Sequence, residues 1–331
     1  MIIGAGRGYN WYSPASYYDL IVIAYNASTG DLVWKLNLSE AKHEVFNSMI
    51  VHNDRLYCGG SGQGWTHTSS TEYDAIIPVI NITTGELILS INLSHPTLVS
   101  PNDDSFNSVA YSDDIIFGGG YGERWYPGST NRDWLIAAFN ATTGKLLWNI
   151  TPYKNPASLA TAEQVVSLAV SDNYLIAGGY GYNWAGSSTN MDFSIIAVNK
   201  TDGNVVWARN LTNPLYITGG ERVEKVIYHD GVVYACGYGE RWHSGSTNYD
   251  AIVVAINVTT GNVIWSNNIS NPVLASGDDR FEDITYSGDV LYAGGQGDNW
   301  AYNSSADDLI IAAFNATTGN LIWIKKYFKP K

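Results

Sequence analysis

Basic side chains are scarce: 18 Lys and Arg stand against 31 Asp and Glu, so the 331 residues carry a net charge of −13. A phosphate-binding face needs clustered cations. Four of the few, Lys325, Lys326, Lys329 and Lys331, sit together in the last seven residues and read as a solvated tail. Nucleic acid is therefore excluded as a partner. Long apolar runs are also missing; no run of eighteen residues could cross a bilayer, so no membrane-spanning segment is expected. Residues 1–20 lack the basic-then-apolar order of a signal peptide. The six histidines form no i,i+4 pair and no zinc-type cluster, and no Gly-x-Ser-x-Gly elbow exists. Adjacent acids such as Asp103-Asp104 and Asp278-Asp279 offer the only glycosidase-like pairing, and neighbouring acids in a turn are usually solvated. Only two cysteines occur, Cys58 and Cys236.

What the chain has instead is repetition. The stretch Asp133–Ile150 recurs six times, beginning at Asp19, Asp74, Asp133, Asp192, Asp250 and Asp308, with spacings of 55, 59, 59, 58 and 58 residues. Each copy reads as a β-hairpin: an apolar run, a link from Asn to Gly, and a second run. The first run, Trp134–Phe139, is apolar on both faces and should be covered on both. The second alternates, with Leu146, Trp148 and Ile150 pointing one way and Leu147 and Asn149 the other. Upstream of each hairpin lies another, for example Phe106–Tyr111, a tight turn, and Ile115–Gly120. Each repeat thus supplies four strands, A to D, and about 58 residues with four strands is one propeller blade.

The expected fold is all-β: a six-bladed β-propeller forming a single domain over residues 1–331. The approximate blade repeats are 1–40, 41–95, 96–154, 155–213, 214–271 and 272–328. Repeat one begins at strand B, so its blade should lack the inner strand. A longer parent chain would account for both that missing strand and the missing signal peptide. Cys58 and Cys236 fall in repeats two and five, opposite each other in a six-part ring, and should be free, buried thiols. Strand parity puts the short A–B and C–D turns on one face and the long B–C and D–A loops on the other.

Strand B with its glycine pairs (Gly59-Gly60, Gly119-Gly120, Gly178-Gly179, Gly294-Gly295) resembles kelch-type repeats. The segment Asn-Ala-Thr-Thr-Gly-Lys-Leu-Leu-Trp from Asn140 to Trp148 is similar to the core of quinoprotein-like, PQQ-type propeller repeats. The full period, with an acid before strand A and Asp opening strand C, resembles SBBP-type repeats of prokaryotic surface proteins. These resemblances imply a propeller and leave its activity open.

Three patterns are candidate sites. The B–C loop opens with Gly and reaches a Trp three residues on: Trp11, Trp65, Trp125, Trp184, Trp242 and Trp300, with Arg124 and Arg241 preceding two of them. Such rings and cations could form a face for a protein or glycan partner, or pack each loop onto its blade. A carboxylate enters strand A: Glu44, Asp104, Glu163, Glu221 and Asp279. A ring of these oxygens would suit Ca²⁺, and otherwise each would hold backbone N–H groups of its loop. No other cofactor is called for. The Asp opening strand C most plainly ties the B–C loop or the adjoining blade.

Twelve Asn-x-Ser/Thr triplets occur. Those at Asn26, Asn81, Asn140, Asn199, Asn257 and Asn315 lie in the hairpin links, where Asn and Thr are good turn residues. Those at Asn37, Asn92, Asn149, Asn210 and Asn268 lie at the end of strand D, and Asn303 precedes strand C of repeat six. As N-glycosylation acceptors they point to an extracellular or cell-surface location. The leading expectation is a non-enzymatic structural or interaction module using its long-loop face. The alternatives are a carbohydrate-binding propeller using the loop Trp and Tyr rings, and a glycan-acting or quinoprotein-like enzyme.

Overall fold

A computed structural model describes residues 1–9, 18–38, 43–63, 65, 72–95, 103–152, 154, 159–184, 190–213, 216, 219–271, 277–298, 300 and 307–327. Among these there is no helix, and therefore none long and apolar enough to cross a membrane. There are six antiparallel sheets, one per repeat.

The first sheet has three strands, β1 (Ile2–Tyr9), β2 (Tyr18–Tyr25) and β3 (Leu32–Leu38), so the missing strand A is observed. The second has β4 (Glu44–His52), β5 (Arg55–Gln63), β6 (Tyr73–Asn81) and β7 (Leu87–Leu93). The third has β8 (Asp104–Ser112), β9 (Ile115–Glu123), β10 (Arg132–Asn140) and β11 (Leu146–Ile150). The fourth has β12 (Gln164–Val170), β13 (Tyr174–Tyr182), β14 (Met191–Asn199) and β15 (Val205–Leu211). The fifth has β16 (Glu221–His229), β17 (Val232–Glu240), β18 (Tyr249–Asn257) and β19 (Val263–Ile269). The sixth has β20 (Asp279–Ser287), β21 (Val290–Asp298), β22 (Asp307–Asn315) and β23 (Leu321–Tyr327). The chain forms two compact units, Met1–Tyr153 with Leu159–Val165, and Lys154–Ser158 with Val166–Lys331. The first holds sheets one to three and the second sheets four to six, apart from the ends of β12.

Each unit's core lies between successive sheets. In the first unit, Ile77, Val79 and Tyr57 of sheet two pack with Phe106, Ile116, Leu135 and Phe139 of sheet three. In the second, Val253, Cys236 and Tyr234 meet Phe281, Ile310 and Phe314. Strand C is the middle of this sandwich, and the seven central residues of β6, β10, β14 and β18 are all buried. Double coverage is why those runs have no polar face. Cys58 and Cys236 are free and buried, and burial pushes the Cys58 thiol up to about 12.

Three of the A–B turns carry the backbone their residues predict. Asp113 and Asp114 have φ of 51° and 59°, Asp230 and Gly231 have 42° and 80°, and Gly288 and Asp289 have 55° and 63°. Two successive positive φ values fit the right-handed twist of a two-residue hairpin. The outer strand departs from simple alternation. Ala138 pairs with Trp148 and Phe139 with Leu146, so Leu147 is an extra residue in a bulge. Both Leu146 and Leu147 therefore face outward, 38% and 47% exposed. The same register shift recurs in every outer strand.

Successive sheets are joined at the turn end by an aromatic seat. Trp34, Trp207 and Trp265 of strand D donate their indole N–H to Ile82, Val258 and Ala316 carbonyls in the next C–D link, at 2.8, 2.7 and 3.0 Å. The rings lie on the next link's glycine. A Cβ on Gly85, Gly261 or Gly319 would come within 2.7, 2.6 and 2.5 Å of an indole carbon. Leu89 replaces Trp in sheet two and lies against Gly144. At these links Gly answers two demands, a φ near +70° and the close approach of a ring.

Candidate functional site: the loop-end latches

The three repeated patterns converge at the loop end of blades two, three, five and six. Asp104 starts β8 opposite Gly122 of β9, and Gly122 in turn faces Asp133 of β10. The row acid, glycine, aspartate recurs as Glu44, Gly62, Asp74, then Glu221, Gly239, Asp250, then Asp279, Gly297, Asp308. The glycine leaves room for an indole: a Cβ at Gly122 would lie 2.3 Å from Trp125, and the same holds for Gly62 with Trp65 and Gly297 with Trp300 at 2.3 and 2.4 Å.

In blades three, five and six the indole N–H then reaches the strand A carboxylate. Asp104 Oδ1 accepts Trp125 Nε1–H at 2.9 Å and the Glu123 amide at 3.2 Å, while Oδ2 accepts the His95 amide at 3.1 Å. Glu221 accepts Trp242 Nε1–H and the Asn213 amide, both at 3.3 Å. Asp279 accepts Trp300 Nε1–H at 2.5 Å and the Asn271 amide at 2.7 Å. One carboxylate therefore ties the B–C loop to the connection that enters strand A. The strand C aspartate secures the rest of the B–C loop. Asp133 accepts Ser129 Oγ–H at 2.7 Å and the Tyr126 amide at 2.9 Å; Asp250 accepts the His243 amide at 2.7 Å.

The five strand A acids are at most 1% exposed. Desolvation disfavours their charged form. Burial pushes Asp104 up to about 7 against its three N–H donors, with Asp74 of the preceding blade adding to the rise. Glu221 rises to about 8, again by burial, with Asp192 adding. Asp279 rises to about 7, with burial first and Asp250 and Asp298 behind it.

These placements decide what each candidate residue can do. Trp184 and Trp300 are buried, while Trp65, Trp125 and Trp242 are half-buried against their own blades. Trp11 lies outside the described residues. Arg124 and Arg241 sit at positive φ, 61° and 57°, in the turn that starts the B–C loop. Arg241 covers the Tyr216 ring, 3.9 Å from its centroid. Among the described residues no three His, Cys, Asp or Glu side chains form a group able to hold a metal ion.

The strand D sequons hold a role that sequence reasoning missed. The Nδ2 of Asn92, Asn210 and Asn268 donates to the carbonyl of Trp65, Trp184 and Trp242, at 3.2, 3.1 and 3.2 Å. That nitrogen is the atom a glycan would occupy, so at these three positions glycosylation and the latch compete. Asn149 falls two residues off this register, opposite Ala137, and is exposed. In the hairpin links Asn works through its oxygen instead: Asn140 Oδ1 accepts the Thr142 and Thr143 amides at 3.1 and 2.8 Å. Asn26, Asn81, Asn199, Asn257 and Asn315 do the same, which leaves the nitrogen unspent in that contact. The shared spacing of Asn in strand D and Trp in the B–C loop was the available signal.

A family model described as outer membrane protein assembly factor BamB, of the PQQ repeat type, matches residues 15–185 and 129–329. The chain belongs to this family. Tetrathionate hydrolase of Acidithiobacillus ferrooxidans is 22% identical over 201 residues, 58% of this chain and 33% of that protein. The chain thus spans about a third of that relative's length. The crystal structure of BamB from Moraxella catarrhalis matches with a TM-score of 0.51 at 15% identity, over 94% of this chain and 73% of that one. Quinohemoprotein alcohol dehydrogenase from Comamonas testosteroni matches with a TM-score of 0.56 at 15% identity, over 86% of this chain and 43% of that one. At such identities the likeness shows the fold, and with six sheets the chain is a six-bladed β-propeller.

Proposed function

We propose that this propeller is a non-enzymatic interaction module that works outside the cytoplasm and presents its long loops to a protein partner. The observation that carries the reading is the latch. In blades three, five and six the repeated acids and indoles, which on sequence could have been catalytic or sugar-stacking groups, bond to one another and to loop backbone. A loop tied at both ends costs less entropy to order on binding than a free one, which favours display over chemistry. Membership in a family named for an assembly factor supports the reading. The sequons of the hairpin links support a place outside the cytoplasm, since their acceptor nitrogens are not spent in the turn.

The test is site-specific photocrosslinking of the full chain in the cells that make it. A photoreactive residue at Pro127 or Ser244, both exposed in B–C loops, should give discrete protein adducts. The same residue at Thr142 or Thr260, in the C–D links, should give none. Equal labelling at both ends, or no adduct at the loops, would overturn the reading.

A further inference from the structure

Blade six breaks the pattern of blade three at one register position. In blade three, Arg132 opens β10 opposite Glu123 of β9. Its guanidinium lies 4.1 Å from the Tyr121 ring centroid, and its Nε is 4.0 Å from Glu123 Oε1. The position of Arg132 is taken in blade six by Asp307, and that of Glu123 by Asp298. Both carboxyls then face one another with no cation from this position between them. Gln296 Nε2–H donates to Asp307 Oδ2 at 2.8 Å, and the Asp278 amide donates to Asp298 Oδ2 at 3.1 Å. The Asp307 carboxyl is raised, first through Asp298.

Next to this pair lies a cavity of about 310 Å³ within the second unit. Its far wall is aromatic: Tyr238 and Tyr249 of blade five, with ring centroids 5.0 Å apart in an edge-on pair. Asp278 also lines it and accepts the Tyr249 amide at 3.3 Å. Arg280 is the one basic residue of the lining; Glu282 lies 3.4 Å from it, and the Arg280 charge also draws the Asp307 carboxyl down. Asp279 is buried, and its Oδ1 is already engaged by Trp300 Nε1–H. The lining therefore offers tyrosine rings and acceptor oxygens to a cation, in a space at the small end of ligand pockets.

We propose that this cavity binds an alkylguanidinium group supplied from outside the blade, in the role that Arg132 fills within blade three. The group would bridge Asp298 and Asp307 with its planar N–H fork and lie against a tyrosine ring. The chemistry is shared by free alkylguanidines and by an arginine side chain of a polypeptide. The inference goes beyond the interaction reading and does not depend on it.

Calorimetric titration of the full chain tests it with agmatine, with the capped peptide Gly-Arg-Gly, and with n-butylammonium. Agmatine or the peptide should bind with one site. Tighter binding of the peptide assigns the site to a partner's arginine, and tighter binding of agmatine assigns it to a small molecule. Asp307→Arg restores the arrangement of blade three and should weaken binding by about tenfold or more, as expected for a lost charge-assisted pair. Blade three shows that the position accepts arginine; an unchanged melting temperature will verify folding, and Asp298→Asn, which keeps the shape, supplies a second variant that should also weaken binding. No heat with either guanidinium, binding untouched by both variants, or equal binding of n-butylammonium would overturn the proposal.

Discussion

At its turn end a blade is joined to the next by an indole resting on a glycine; at its loop end the junction is a buried acid gathering N–H groups. The two ends share a tryptophan and a glycine but not a physical basis. At the turn end Trp207 is 7% exposed, and its N–H goes to the neutral Val258 carbonyl. At the loop end Trp125 gives its N–H to a carboxyl that burial makes hard to ionise. Packing is largely indifferent to pH, whereas a desolvated acid is not. A single fold can thus carry one set of joints that is constant and another that answers to proton concentration.

The largest expected effect separates the two ends by pH. Asp104 and Asp279 are raised to about 7 and Glu221 to about 8, all above their unfolded values. The folded state therefore holds protons that the unfolded state has released. Their contribution to stability is fully present below the unfolded values, roughly pH 4, and is lost as pH rises through about 7 to 8. Calorimetric melting between about pH 4 and pH 9 should show a Tm that falls from about pH 4 to about pH 8 and then levels. The variant Asp104→Asn, Glu221→Gln and Asp279→Asn should flatten that slope. A Tm that rises across the interval would refute the assignment of the loop end as the titrating one.

Next in size is the turn end. Trp207→Ala removes an indole seated on Gly261 together with its bond to Val258, and should destabilise by about 4 kcal/mol. Trp207→Phe keeps the apolar contact and loses the bond, so about 1 kcal/mol is expected. Leu89, which fills the same seat without an N–H, shows that an apolar side chain suffices there. Urea unfolding at two pH values, one on each side of about 7, should give the same loss for Trp207→Ala at both, in contrast to the acid variants. A loss that changes with pH would merge the two kinds of joint.

How far each end was legible in the sequence follows from the range of its contacts. The Asn-x-Thr-Thr-Gly link is local: Asn140 bonds residues two and three places on, and Gly144 has a φ of 71°, so residue type alone announces the turn. The four-strand repeat was legible for the same reason. The loop end is assembled over distance. Asp104 meets Trp125 across 21 residues, and Asn268 meets Trp242 across 26. The acids and indoles could be marked as repeated positions, but their mutual bonding could not be read from spacing. Hence a metal ring and a stacking face were natural expectations, and the strand D asparagines read as glycan acceptors. The outer-strand bulge was hidden because alternation along Leu146–Ile150 looks regular until its partner strand fixes the register. The cavity of blade six showed only as a substitution inside the repeat, Asp307 where blade three has Arg132.

The finest contrast uses one residue type at both ends. Asn257 at the turn end acts through its oxygen, accepting the Thr259 and Thr260 amides at 3.0 and 2.9 Å. Asn268 at the loop end acts through its nitrogen, donating to the Trp242 carbonyl at 3.2 Å. Asn→Asp keeps the acceptor and removes the donor. Asn257→Asp should therefore be nearly neutral, within about 0.5 kcal/mol, since Asp serves equally well in such a turn. Asn268→Asp sets a carboxylate against a carbonyl oxygen and should cost about 1 to 2 kcal/mol at neutral pH. Part of that cost should return in acid, where a protonated carboxyl can donate in place of the amide. Equal losses at the two positions would mean that the loop-end asparagine does not act as a donor, and the latch would then reduce to the acid and the indole alone.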